Sequence, residues 1–182
     1  PRYRRALEVD PGNPTARYYL ATALQRRGRL EEALEHYREA LRLQPNRPEI
    51  HNNYGVALLA DGRREEAIRQ FRRAVELDPA HADARVNLGA LARGRGDIAA
   101  AERHLRRAVE AAPGQTTARV QLGHVLLIRG KVAEAFEHYG AAAGQGARAQ
   151  ILDRVAPVAW RMAVHPDSSI RRPDRALAVA RR

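Results

Sequence analysis

Three histidines, His36, His104 and His138, are the first residues of this sequence whose type suggests chemistry, because neutral imidazole nitrogens ligate metals and exchange protons near neutral pH. No second His or carboxylate joins any of them in a ligand pattern such as H-x-x-x-H, so a solvated row on an outer helix face is expected. Ser168 and Ser169 stand beside Asp167 and His165, the residue types of a hydrolytic triad. A serine nucleophile also needs a base within hydrogen-bond reach and a fixed oxyanion site. The run Pro166-Asp167-Ser168-Ser169 reads instead as turn and helix-cap chemistry. Gly94-Arg95-Gly96 lacks the remaining residues of a phosphate-binding loop. With Cys 0, the chain has no disulfide, thiolate nucleophile or Cys-ligated zinc or iron-sulfur centre. It is read as non-enzymatic, with no metal and no cofactor.

The elements that would position any site come from the composition and its periodicity. Across 182 residues, a hydrophobic content of 45% is enough to build a core, and it excludes disorder. Lys+Arg 32 against Asp+Glu 21 leaves a formal charge of +11. All of these cations except Lys131 are Arg, a bias that G+C-rich codon usage explains more easily than a binding need does. Apolar runs fall far short of the roughly 20 residues that cross a bilayer, so no membrane span is expected. Pro1 at the start and the uncapped helical pattern running into Arg181-Arg182 read as a piece of a longer chain. The compartment is left open, with the cytoplasm slightly favoured.

Self-similarity organises the rest. Gly28, Gly62, Gly96 and Gly130 recur every 34 residues, as do Ala33, Ala67, Ala101 and Ala135. Further columns are Ala40/Ala74/Ala108/Ala142, Tyr37/Phe71/Leu105/Tyr139, Ala21/Gly55/Gly89/Gly123 and Pro11/Pro45/Pro79/Pro113. Between them, apolar residues follow helical spacing, for example Ala33, Tyr37, Ala40 and Leu41. Each unit is therefore two helices. Gly28 and its equivalents fall where the first helix stops and the chain reverses, and the prolines fall after the second helix. The small-residue columns let the paired helices approach closely.

This pattern resembles the tetratricopeptide repeat, with full repeats at 14–47, 48–81, 82–115 and 116–149. Residues 1–13 resemble the second helix of a preceding repeat, and 150–182, with Trp160, Met162 and Leu177, a divergent terminal repeat. The first-helix Trp of the family pattern is replaced by Arg17, His51, Arg85 and Arg119, a basic row. Gly140, Gly144 and Gly146, where the expected Pro is missing, predict a hinge or frayed helix end. The resemblance implies an all-α, right-handed superhelical α-solenoid, with first helices lining a concave groove.

On that frame the groove residues are Tyr18, Tyr19, Thr22, Asn52, Asn53, Val56, Val86, Asn87, Ala90, Val120, Gln121 and His124. The column Tyr19, Asn53, Asn87, Gln121 is rich in carboxamides, which offer both donor and acceptor to an extended peptide backbone. It resembles the asparagine ladder of O-GlcNAc transferase repeat domains. Chaperone-binding members hold a terminal carboxylate with Lys, Arg and Asn. Here those positions carry Tyr18, Thr22, Asn53, Asp83 and Asn87, so only Asn53 matches and that clamp is rejected. Cations collect instead on the edge formed by the turns inside each repeat: Arg26, Arg27, Arg29, Arg63, Arg64, Arg93, Arg95, Arg129 and Lys131.

The preferred reading is a protein-interaction scaffold that binds an extended peptide, of acidic character where it meets the rim. A second reading is a regulatory or targeting module of a larger enzyme such as a glycosyltransferase or sulfotransferase. Nucleic-acid binding through the rim ranks third, because Tyr18 and Tyr19 are not repeated along the array and no stacking platform is expected. Self-association through exposed array ends, at Tyr3, Leu7, Leu177 and Val179, is a further expectation.

Overall fold

A computed structural model describes residues 2–143, so the divergent terminal repeat, the Gly144 to Gly146 segment and Leu177 and Val179 lie outside the described residues. The chain forms two compact units, Pro1–Pro113 and Gly114–Arg182. All described secondary structure is helical. In the first unit the helices are α1 (Arg2–Val9), α2 (Pro14–Gln25), α3 (Leu30–Leu43), α4 (Pro48–Ala60), α5 (Arg64–Leu77), α6 (Ala82–Gly94) and α7 (Ile98–Ala111). The described part of the second unit is one helix pair, α8 (Thr116–Ile128) and α9 (Val132–Ala143). Gly140 lies inside α9.

Local sequence explains each boundary. First helices begin with Pro14 and Pro48, whose missing N–H costs nothing in the first turn. Asn13 and Asp97 cap α2 and α7 by accepting from the backbone N–H of Ala16 and Ala100, both at 2.9 Å. The turn inside each repeat closes on a left-handed glycine, as expected: Gly62 has φ of 78°, and the Arg63 N–H beyond it returns to the Leu58 carbonyl at 2.8 Å.

Packing within the first unit is hairpin on hairpin: α2 pairs with α3, α4 with α5 and α6 with α7, while α3 meets α4, α5 meets α6, and α1 covers α2. This is an all-α helical-repeat solenoid. The column with small side chains sits where paired helices touch. A Cβ added to Gly55 would lie 2.7 Å from Cε1 of the fully buried Phe71 ring. The core runs through Leu20, Tyr37, Ile50, Leu58, Phe71 and Leu88. First helices α2 and α4 also touch directly, which builds the wall described next.

Candidate functional site

In the first unit the expected groove residues become a hydrogen-bonded relay across three first helices. Asn87 Nδ2 on α6 donates to Asn52 Oδ1 on α4 at 3.0 Å, Asn52 Nδ2 donates to Asn53 Oδ1 at 3.1 Å, and Asn53 Nδ2 donates to the Tyr18 hydroxyl on α2 at 2.7 Å. The links between helices join residues 35 apart, not the 34 of the sequence column. Each amide therefore meets its neighbour's adjacent position. All donors point the same way, from Asn87 toward Tyr18, so the bonds polarise one another. At the ends remain the Tyr18 hydroxyl hydrogen and the Asn87 carbonyl oxygen.

The other groove residues divide by exposure. Asn52 at 7% and Val86 at 6% are buried by helix packing and build the wall instead of presenting surface. Tyr19 at 46% and Val56 at 36% are exposed, and Asn53, Asn87 and Ala90 are half-buried. Thr22 is tied down, its hydroxyl 3.0 Å from the Tyr18 carbonyl and 3.1 Å from the Tyr37 hydroxyl. In the second unit Val120 is buried, while Gln121 and His124 are half-buried.

Beside the relay lies an aromatic cluster that sequence spacing did not reveal. Tyr3 stacks on Tyr19 with centroids 5.5 Å apart; Tyr19 meets Tyr18 at 5.1 Å, Tyr18 meets Tyr37 at 6.3 Å, and Tyr37 meets Tyr54 at 6.1 Å. Tyr3 and Tyr37 share one repeat column, but Tyr18, Tyr19 and Tyr54 stand at other positions, so no single column contains the cluster. Tyr3 and Leu7, expected at an exposed end, pack against the core because α1 covers α2. Burial raises the Tyr18 phenol above its ordinary value, with Glu49 adding to the effect, and pushes Tyr37 up to about 12. Both hydroxyls stay protonated donors.

Part of the basic rim is ion-paired. Arg29 binds Glu32 at 2.6 Å, Arg63 binds Glu66 at 2.6 Å, and Arg95 bonds to Glu65. Arg64 reaches the Leu91 carbonyl at 3.4 Å. Arg26 and Arg27 stand exposed at the end of α2, and Arg93 is half-buried. In the second unit Arg129 and Lys131 are exposed. Among the described residues no group of three or more His, Asp or Glu is placed to hold a metal ion, and no helix is long and apolar enough to cross a membrane.

Tetratricopeptide-repeat family profiles match residues 3–35, 52–116 and 91–150, and a TPR-repeat profile matches 23–62. The chain belongs to the tetratricopeptide repeat family. No curated protein matches it. Among solved structures it is similar to PilF of Pseudomonas aeruginosa, with 24% identity over 96% of this chain and 86% of that one and a TM-score of 0.74. It is also similar to YrrB, described as a TPR protein with an unusual peptide-binding site, with 23% identity over 97% and 91% and a TM-score of 0.73. MamA gives 23% identity over 79% and 84%, with a TM-score of 0.68. As a tetratricopeptide repeat protein, the chain is a protein-interaction module, in a family whose members are typically non-catalytic scaffolds.

One departure from the tetratricopeptide pattern acquires a structural role. In the first unit the side chains that replace the first-helix Trp fold back onto the proline carbonyl six residues earlier. Arg17 Nη2 donates to Pro11 O at 2.6 Å, His51 Nε2 to Pro45 O at 2.8 Å, and Arg85 Nε to Pro79 O at 2.6 Å. The residue facing this row from the second helix is His36, Gln70 or His104, and His51 Nδ1 lies 2.7 Å from the Gln70 amide oxygen. His36 and His104 are thus half-buried against Arg17 and Arg85, not solvated as expected. Burial first, then the adjacent guanidinium, lowers both imidazoles below their ordinary value.

Proposed function

We propose that the wall formed by α2, α4 and α6 binds an extended segment of a partner protein. The relay from Asn87 through Asn52 and Asn53 to Tyr18 carries this reading. An extended peptide brings unpaired N–H and C=O groups. The Tyr18 hydroxyl and the Asn53 amide offer donors to its carbonyls, and Asn87 Oδ1 offers an acceptor to an N–H. Because the carboxamides are already held by one another, little side-chain entropy is lost on binding. Tyr19 and Val56 supply exposed apolar surface for the partner's side chains. A net charge of +11, with Arg26 and Arg27 at the end of α2, favours an acidic segment. The peptide-binding site named for YrrB lies on a similar fold.

The test is an array of overlapping acidic and neutral 15-residue peptides, with affinities of the captured sequences then measured by fluorescence anisotropy. Asn53→Ala combined with Asn87→Ala is expected to weaken binding at least tenfold while circular dichroism stays helical. Unchanged affinity in that double variant ends the assignment.

A further inference from the structure

On the outer side of the third repeat lies a cleft of about 530 Å³, lined by Pro79 and Ala80 of the inter-repeat loop, Arg85 of α6, and Arg107, Glu110 and Ala111 at the end of α7. Arg85 spends Nε on the Pro79 carbonyl at 2.6 Å, which fixes the plane of its guanidinium and leaves both Nη groups for another acceptor. Arg107 engages Glu110 through Nη1 at 3.1 Å, which leaves its Nε and Nη2.

Comparison with the first repeat shows what is unusual here. Arg17 occupies the place of Arg85, and the positions matching Arg107 and Glu110 carry Glu39 and Arg42. The pair is reversed in order. Arg17 therefore faces the carboxylate of Glu39, and that carboxyl is held below its ordinary value by Arg42 first and Arg17 further out. Arg85 faces a cation instead: after burial, Arg107 is the largest influence lowering it, ahead of the opposing pull of Glu110 and Asp78. His104 lies alongside, with Arg85, Arg103 and Arg72 all disfavouring its charged form and with Nδ1 buried and unpartnered.

We infer that this cleft is an oxyanion site for a phosphoryl group, held between the guanidinium forks of Arg85 and Arg107. A phosphate dianion supplies the charge that Glu39 supplies in the first repeat, and its oxygens accept from two planar forks at once, which a single carboxylate does less well. The volume leaves room for whatever carries the phosphoryl group. Arg85 stands two residues before Asn87 on α6, which turns it to the opposite side of the helix from the amide relay, so the site is independent of peptide binding there.

The experiment titrates the isotopically labelled protein with inorganic phosphate, and separately with a phosphoserine peptide and its unmodified form, reading the Arg side-chain Nε–Hε resonances and the melting temperature. Saturable shifts at Arg85 and Arg107 are expected with inorganic phosphate, the phosphopeptide or both, and the arm that responds identifies the source. Arg107→Glu places a carboxylate opposite Arg85, as Glu39 stands opposite Arg17 in the first repeat, so it is expected to fold, as circular dichroism will check, and to weaken binding at least tenfold. Glu110→Gln removes the competing carboxylate and is expected to tighten it. Arg38→Glu changes net charge equally in another repeat and is expected to leave it unaltered. Equal binding in Arg107→Glu and the unsubstituted protein, or an equal loss in Arg38→Glu, overturns the site.

Discussion

Arg85 Nε donates to the Pro79 carbonyl across 2.6 Å, closing the loop between the second and third repeats with a charge-assisted hydrogen bond. Arg17 and Pro11 make the same closure two repeats earlier, also at 2.6 Å. At these positions the repeat pattern calls for a bulky aromatic wedge. A guanidinium fills the same space with its stem and satisfies a carbonyl that the proline-terminated segment leaves open.

That closure is measurable in the repeat where no anion cleft complicates it. Arg17→Met keeps the stem and removes the donor. The substitution is expected to lower stability by about 1 kcal/mol, since hydrogen bonds of this kind contribute roughly that much or somewhat more. Urea unfolding monitored by circular dichroism reads it as a lower midpoint with unchanged slope.

The buried amide of Asn52 links two others. Asn52→Ala leaves Asn53 Oδ1 and Asn87 Nδ2 without their partners in a half-buried wall, at an expected cost of about 1–3 kcal/mol. Tyr18→Phe removes only the terminal acceptor of the relay and is expected to cost less. Chemical denaturation of both variants ranks them, and the reverse order would show that Asn52 is not the central link.

Gly55→Ala sets two effects against each other. Alanine gains roughly 1 kcal/mol of helix propensity over glycine. Its Cβ would stand 2.7 Å from a ring carbon of Phe71, which is fully buried and has nowhere to turn. Overpacking of this kind costs about 1–3 kcal/mol, so a net loss of stability is expected in thermal melts. Adding Phe71→Leu is expected to recover part of it.

Acid should destabilise the protein through its outer histidines. His36 and His104 have folded-state pKa values below the ordinary 6.5, so the unfolded chain binds their protons more readily. Their contribution is fully present above that value and is lost as pH falls through it toward the folded pKa. In His36→Gln with His104→Gln, the stability difference between pH 7 and pH 5 is expected to shrink, as read from urea midpoints at each pH.

Much of the fold is legible along the chain because each repeat is encoded locally. The 34-residue step, the glycine at each reversal and the helical apolar spacing all concern residues close in sequence, and each has one backbone solution: Gly28, Gly62, Gly96 and Gly130 take positive φ. The candidate site was legible only as a set of residues. Asn53 and Asn87 stand in one column, yet neither bonds to the other.

A column gathers equivalent positions, whereas neighbouring helices touch through unlike ones. Whether Asn53 meets Tyr18 or Tyr19 turns on an offset of one residue, which only the packing angle of α2 against α4 sets. The same holds for the tyrosine cluster, for the imidazoles of His36 and His104, and for the cleft between Arg85 and Arg107. Periodicity dictates which elements form and where they turn. Contacts shorter than about 3 Å between separate helices depend on how those elements lean on one another, and that lean comes from side-chain volumes in the core.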